Sequence, residues 1–167
     1  MKPQDIVILL KIIALGKNDW FQHTLAKDLK ISQSEVSESL NRSKYAGLID
    51  SSRKVVMRMA LLEFLQYGIR YAFPQQPGAI VPGIPTSHSG PPLNSIIASS
   101  EAYVWPYGKG EIRGQAIEPL YPSVVFAVQE DPILYELLVL VDAIRVGKAR
   151  EREYAKKELE KRLLDSL

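Results

Sequence analysis

The sequence predicts a mainly α protein, in which an N-terminal helix-turn-helix precedes a Pro-rich extended segment with a short β-hairpin, and C-terminal helices follow. Three observations predict it. Apolar residues recur at helical spacing in residues 4–15, 25–40, 56–72 and 134–144. Nine of the eleven prolines fall between Pro74 and Pro122. Residues 22–49 carry the cap, turn and closing glycine of two crossed helices. The chain accordingly divides into 1–73, 74–130 and 131–167.

The first helix is expected from Gln4 to Leu15. Ile6, Val7, Ile8, Leu9, Leu10, Ile12 and Ile13 make it apolar nearly all round, so something must cover the face that a small domain would leave bare. Lys11 interrupts the run, which is too short to span a bilayer and lacks a small-residue cleavage site. Neither a signal peptide nor a membrane anchor is read.

In QHTLAKDLKISQSEVSESLNRSKYAGLI, residues 22–49, Leu25, Ala26 and Leu29 mark the inner side of a short helix and Lys30-Ile31 the turn. Val36 and Leu40 mark the inner side of a second helix, and small Ala26 lets the two cross closely. Ser32 is placed as an N-cap, and Glu35 three residues on completes a capping box that starts the second helix near Gln33. Gly47 supplies the left-handed residue that ends it.

The side chains left outside are Gln33, Ser34, Ser37, Glu38, Asn41 and Lys44. Such a ridge fits the DNA major groove. Amides pair with adenine, carboxylates accept from the cytosine amine, and hydroxyls serve either way. Gln33, Ser34, Ser37, Glu38 and Asn41 are therefore the candidate base readers. Arg42, Lys44, Arg53 and Lys54 are the candidate phosphate contacts. The plainer reading of the same residues is the solvated face of a small three-helix core.

The stretch LAKDLKISQSEVSESLNRSKYAGLI resembles the DNA-reading unit of bacterial winged-helix transcriptional regulators, the MarR-like ones in particular. The likeness rests on the Leu-Ala pair, the Ile-Ser turn, the Val-Ser of the second helix and the closing Ala-Gly-Leu, and it covers the N-terminal third. It implies a cytoplasmic regulator, a repressor, that binds double-stranded DNA as a homodimer. Ser43 departs from the large apolar residue usual there, and Glu38 from the usual basic one. Asp50 to Val56 leaves room for only a very short hairpin, so the wing is expected to be stunted or missing.

Val56, Ala60, Leu61, Phe64, Leu65, Ile69 and Ala72 then predict a helix from Arg53 to Phe73, which Pro74 ends. Between Pro74 and Pro122 the prolines exclude a long helix, yet the abundance of Ile, Val, Tyr and Trp predicts a segment laid against the rest of the protein. A hairpin is expected from Ala102–Pro106 and Glu111–Ile117, joined through Tyr107-Gly108-Lys109-Gly110. Trp105 with Tyr103 and Tyr107 reads as core or partner surface, with a single-strand stacking platform as the alternative.

Asp131-Pro132 opens the next helix, whose stripe is Leu134, Leu137, Leu138, Val141 and Ile144, up to Gly147. The tail KAREREYAKKELEKRLLDSL has sparse apolar points, and Glu153 with Lys157 and Glu158 with Arg162 sit four apart, as on an exposed helix. It reads as a solvated seal or as a dimer arm. The first helix and this tail are the candidate homodimer surfaces.

Net charge is only +2, but residues 1–58 carry ten Lys/Arg against six Asp/Glu, residues 59–144 three against eight, and residues 145–167 eight against five. An acidic centre is repelled by DNA and suits a protein partner. The competing function is thus an antitoxin-like module that wraps a partner with its Pro-rich middle.

Signals for chemistry are weak. The absence of cysteine excludes thiol catalysis and disulfides. Gly108, Gly110 and Gly114 miss the dinucleotide-binding spacing. His23 and His88 lack partners at metal-ligand spacing, and Thr86-Ser87-His88-Ser89 shows no oriented aspartate. No enzyme, cofactor or metal is expected.

Overall fold

The computed structural model describes residues 1–165 and is mainly α. The helices are α1 (Pro3–Ala14), α2 (Gln22–Leu29), α3 (Gln33–Tyr45), α4 (Arg58–Tyr67), α5 (Ile69–Ala72), α6 (Val124–Ala127), α7 (Pro132–Val146) and α8 (Ala149–Leu164). Three strands, β1 (Ile80–Pro85), β2 (Tyr103–Pro106) and β3 (Ile112–Ala116), close into a small barrel between α5 and α6 in chain order.

α1 is the axis of the molecule. Its residues Ile6 to Leu10 are at most 1% exposed, and it packs against α3 on one side and α7 on another. The spare apolar face is therefore covered by α7 of the same chain, which corrects the expectation that α1 is a dimer surface. Lys11, buried within this helix, is paired with Asp131, whose Oδ2 lies 2.7 Å from Nζ. Asp131 also accepts from the Leu134 amide at 3.0 Å as the N-cap of α7, so one carboxylate joins both helices. The tail is no free arm either: Ala155, Leu159 and Leu163 of α8 are fully buried against α7 and α4. Of its two expected pairs, Arg162 meets Glu158 at 3.6 Å, whereas Glu153 meets Lys156 instead of Lys157.

The helix expected over Arg53–Phe73 starts five residues later and is interrupted at Gly68. Residues 49–56 are used otherwise: Ile49 and Val56 form one antiparallel bridge, and Asp50 organises the loop between them. Its Oδ1 accepts from the amides of Lys54 and Val55 at 2.9 Å each, and Oδ2 from the Ser52 hydroxyl at 2.6 Å. The Ser52 bond first, then the amides, pull the Asp50 carboxyl down to about 2.

The predicted hairpin does not form. β2 and β3 lie near their expected places but run parallel, Tyr103 opposite Gln115 and Val104 opposite Ala116, and both pair antiparallel with β1. Gly83 of β1 faces both Pro106 and Ile112, so the chain does not reverse at Tyr107–Gly110 but loops out and continues along β1 in the same direction. Pro82 and Pro85 hid this strand in the sequence. Gly114 serves close approach: a Cβ there would lie 2.6 Å from the Ala102 carbonyl oxygen. The middle segment is laid against the body, as expected, with Leu93, Val104, Trp105 and Ile117 at most 1% exposed. Trp105 cannot be a stacking platform in this arrangement, because its indole is enclosed and donates to Asp142 at 2.6 Å.

Candidate nucleic-acid interface

The helix pair α2–α3 is built as the spacing demands. Leu25, Leu29, Val36 and Leu40 are fully buried, and Lys30 closes α2 in a left-handed conformation, with φ 54°. Ser32 caps α3 by accepting from the Glu35 amide at 3.2 Å, and Gly47 follows its end at φ 79°, but the return half of the expected capping box is not made, because the Glu35 carboxylate turns to Gln4 and Arg42.

What fixes α3 to the body is a polar cluster beneath it. Asp5 of α1, fully buried, accepts from Ser39 Oγ at 2.6 Å and from Arg42 through two nitrogens, at 2.8 and 3.0 Å. It also receives the Lys2 amide at 2.8 Å. Arg42 reaches Glu35 Oε1 at 2.9 Å, and Gln4 donates to the same oxygen at 2.8 Å. Hydrogen bonds from Gln4 and then Arg42 hold the Glu35 carboxyl below its usual range. Bonding to Asp5 makes the Arg42 guanidinium still harder to deprotonate. Arg42 is thus committed to anchoring α3, which corrects its assignment as a phosphate contact: its charge is neutralised internally.

The outer face holds what the sequence placed there. Gln33, Ser34, Glu38, Asn41 and Lys44 are exposed, and Ser37 is half-buried at the foot of the ridge. Gln33, Ser37 and Asn41 follow one i, i+4 row, with Ser34 and Glu38 beside it. Arg53 joins this row from the loop after α3. Held at φ 60°, it donates to Asn41 Oδ1 at 2.8 Å and to the Ser37 carbonyl at 3.3 Å. Nothing in helical spacing could have shown this contact, because it depends on the return of the Asp50 loop.

Lys54 points elsewhere. Its ammonium donates to the Trp20 carbonyl at 3.0 Å and sits 4.3 Å from the indole centroid, a cation–π contact. These contacts hold the ammonium against Trp20 without neutralising its charge, and the side chain stays exposed. Of the four predicted cations, Lys44 and Lys54 are exposed, and of these two Lys44 is the one whose ammonium has no hydrogen bond, ion pair or ring contact among the described residues. Two exposed cations that the sequence reading did not single out, Lys27 on α2 and Lys30 in the turn, lie next to α3 in the chain. Their position beside the turn was the available signal.

The Thr86–Ser89 stretch meets acids that the sequence did not reveal. Thr86 Oγ1 donates to Asp142 Oδ2 at 2.8 Å, Asp142 pairs with Arg145 at 2.8 Å, and His88 Nδ1 lies 3.5 Å from Glu151. Thr86 and Ser87 are fully enclosed and His88 is 5% exposed, so this arrangement ties the barrel to α7 and α8 with no opening for a substrate. Among the described residues, no three His, Cys, Asp or Glu side chains gather as a metal site, and no helix is long and apolar enough to cross a membrane.

Comparison of the chain with protein-family models, with curated proteins and with solved structures gives no match.

Proposed function

We propose that this protein is a sequence-specific double-stranded DNA-binding regulator of transcription that lays α3 in the major groove. The observation that carries the reading is the two-sidedness of α3. Its inner face is pinned by Val36, Leu40 and the Asp5–Ser39–Arg42 cluster, while its outer face presents Gln33, Ser34, Ser37, Glu38 and Asn41 with little hydrophobic cover. A helix held this firmly offers its polar ridge at low entropic cost.

Arg53 and Asn41 act in this reading as one unit. Arg53 occupies the Asn41 carbonyl oxygen, so the pair offers N–H donors from both side chains, the pattern that suits guanine O6 and N7 or thymine O4. Gln33 at the helix start keeps both its donor and its acceptor for adenine. Lys44 and the N-terminal amides of α3 hold phosphate. A body of this size on a promoter excludes other proteins sterically, which makes repression the expected direction.

The test is a titration on a duplex selected by the protein, at stated salt, with Asn41→Ala, Arg53→Ala and the double variant. Each single change is expected to cost about 1–3 kcal/mol and to relax the same base position. The double variant is expected to lose less than the sum, because the pair is coupled. Full additivity, with different base positions affected, overturns the assignment of the pair.

A further inference from the structure

Beside the barrel lies a hollow of about 440 Å³, bounded by β1, the loop after β2 and the turn from α6 to α7. Small-molecule sites run to roughly 300–1,000 Å³ and are mostly apolar, with a few placed polar groups. The walls here are Ile84, Pro85, Ile112 and Val128, with Tyr107 and Tyr135.

Three polar side chains line the same hollow: Lys109, Glu111 and Gln129. Lys109 and Glu111 are exposed, and neither has an ion-pair partner among the described residues, each other included. Opposite charges thus border one apolar floor without neutralising each other. Gln129 donates through Nε2 to the Val125 carbonyl at 2.6 Å, which leaves its Oε1 as an acceptor. The Tyr135 hydroxyl is already committed, donating to the Pro85 carbonyl at 2.7 Å. Burial pushes that phenol up to about 12, so it adds no charge.

The chemistry of the occupant follows by exclusion. A peptide strand cannot be added along the end of β1, because Pro85 has no N–H and its carbonyl is taken by Tyr135. A hydrocarbon leaves both charges unanswered, and a simple acid or amine leaves one of them so. A small zwitterion with an apolar body answers both: its carboxylate meets Lys109, its ammonium meets Glu111 and Gln129 Oε1, and its body covers the apolar walls. We infer that this hollow binds a free α-amino acid with a large apolar side chain. This goes beyond the DNA reading, and α3 plays no part in it.

The test is a calorimetric and NMR titration of the full chain with L-phenylalanine, L-leucine, 3-phenylpropionate and 2-phenylethylamine, of which the last two each lack one charge. At least one amino acid is expected to bind with Kd below about 1 mM and to shift the amide resonances of Gly110, Ile112 and Gln129. The acid and the amine are expected to bind at least tenfold more weakly, the worth of one charge-assisted contact. Lys109→Gln and Glu111→Gln, both at exposed positions, are each expected to weaken the amino acid about tenfold with an unchanged far-ultraviolet circular dichroism spectrum. The absence of shifts at these amides up to about 10 mM of either amino acid overturns the inference. So does an affinity that both variants leave at the wild-type value. Gln33→Ala/Asn41→Ala keeps the amino-acid titration whatever becomes of base preference, so failure of the DNA reading leaves a different signature.

Discussion

Asp5→Asn removes one charge from the cluster that anchors α3 and keeps its shape. The carboxylate is fully buried and receives Ser39, two Arg42 nitrogens and the Lys2 amide, all within 3.0 Å. Removing one partner of a buried ion pair costs about 3–5 kcal/mol. Here Arg42 keeps Glu35 at 2.9 Å, and its side chain is 24% exposed, so water and the second acid recover part of the loss. The expected destabilisation is about 2–3 kcal/mol. Urea unfolding followed by circular dichroism measures it, and for an m-value of about 2–3 kcal/mol/M the midpoint falls by roughly 1 M. Because α3 loses its pin, DNA affinity is expected to fall as well under conditions where the variant is fully folded. A midpoint within about 0.2 M of wild type, well inside that expected shift, refutes the view that this cluster holds the helix.

Ser43 is 1% exposed on the inner face of α3 and its hydroxyl has no hydrogen-bond partner, so Ser43→Ala is expected to raise stability by about 1 kcal/mol in the same urea assay. Acid should weaken the protein through Glu35 and Asp50, whose folded-state pKa values both lie below the ordinary 4.5 and 3.8. Their contribution is complete above those ordinary values and is lost as pH falls through the folded ones, for Asp50 about 2. The urea midpoint measured against pH is thus expected to drop below pH 4.5, and Glu35→Gln to flatten the upper part of the drop. In DNA titrations across salt, Lys44→Ala should reduce the log–log slope by about 1, whereas Lys54→Ala should reduce it less, because its ammonium is held against Trp20.

Helix positions were legible where local rules act alone. The Ser32 cap, Gly47 at the end of α3, Asp131-Pro132 at the start of α7 and the buried stripe of Leu25, Leu29, Val36 and Leu40 all follow from spacing within a few residues. The outward polar ridge of α3 follows from the same periodicity. What stayed hidden depends on distant partners. β1 contains two prolines, and its pairing with both β2 and β3 is set by backbone approach at Gly83 and Gly114, which no local pattern encodes. Part of the cover of α1 comes from α7 and part of the cover of α8 from α4, each far away in the chain, so their apolar faces looked free for a second copy. Charge type alone could not separate Lys44, in water, from Arg42, which is consumed by Asp5 and Glu35. The acid within the first turn of an apolar helix was the one hint that Asp5 needed a cation.

The measurement that bears most directly on the function is selection from a pool of randomised duplexes at fixed, stated salt, by wild type and by Gln33→Ala/Asn41→Ala in parallel. If α3 reads bases, wild type enriches a defined site, and the variant, folded and with its phosphate contacts intact, enriches none or a degenerate one. Recovery of the same site by both proteins, or of no site by wild type, contradicts it.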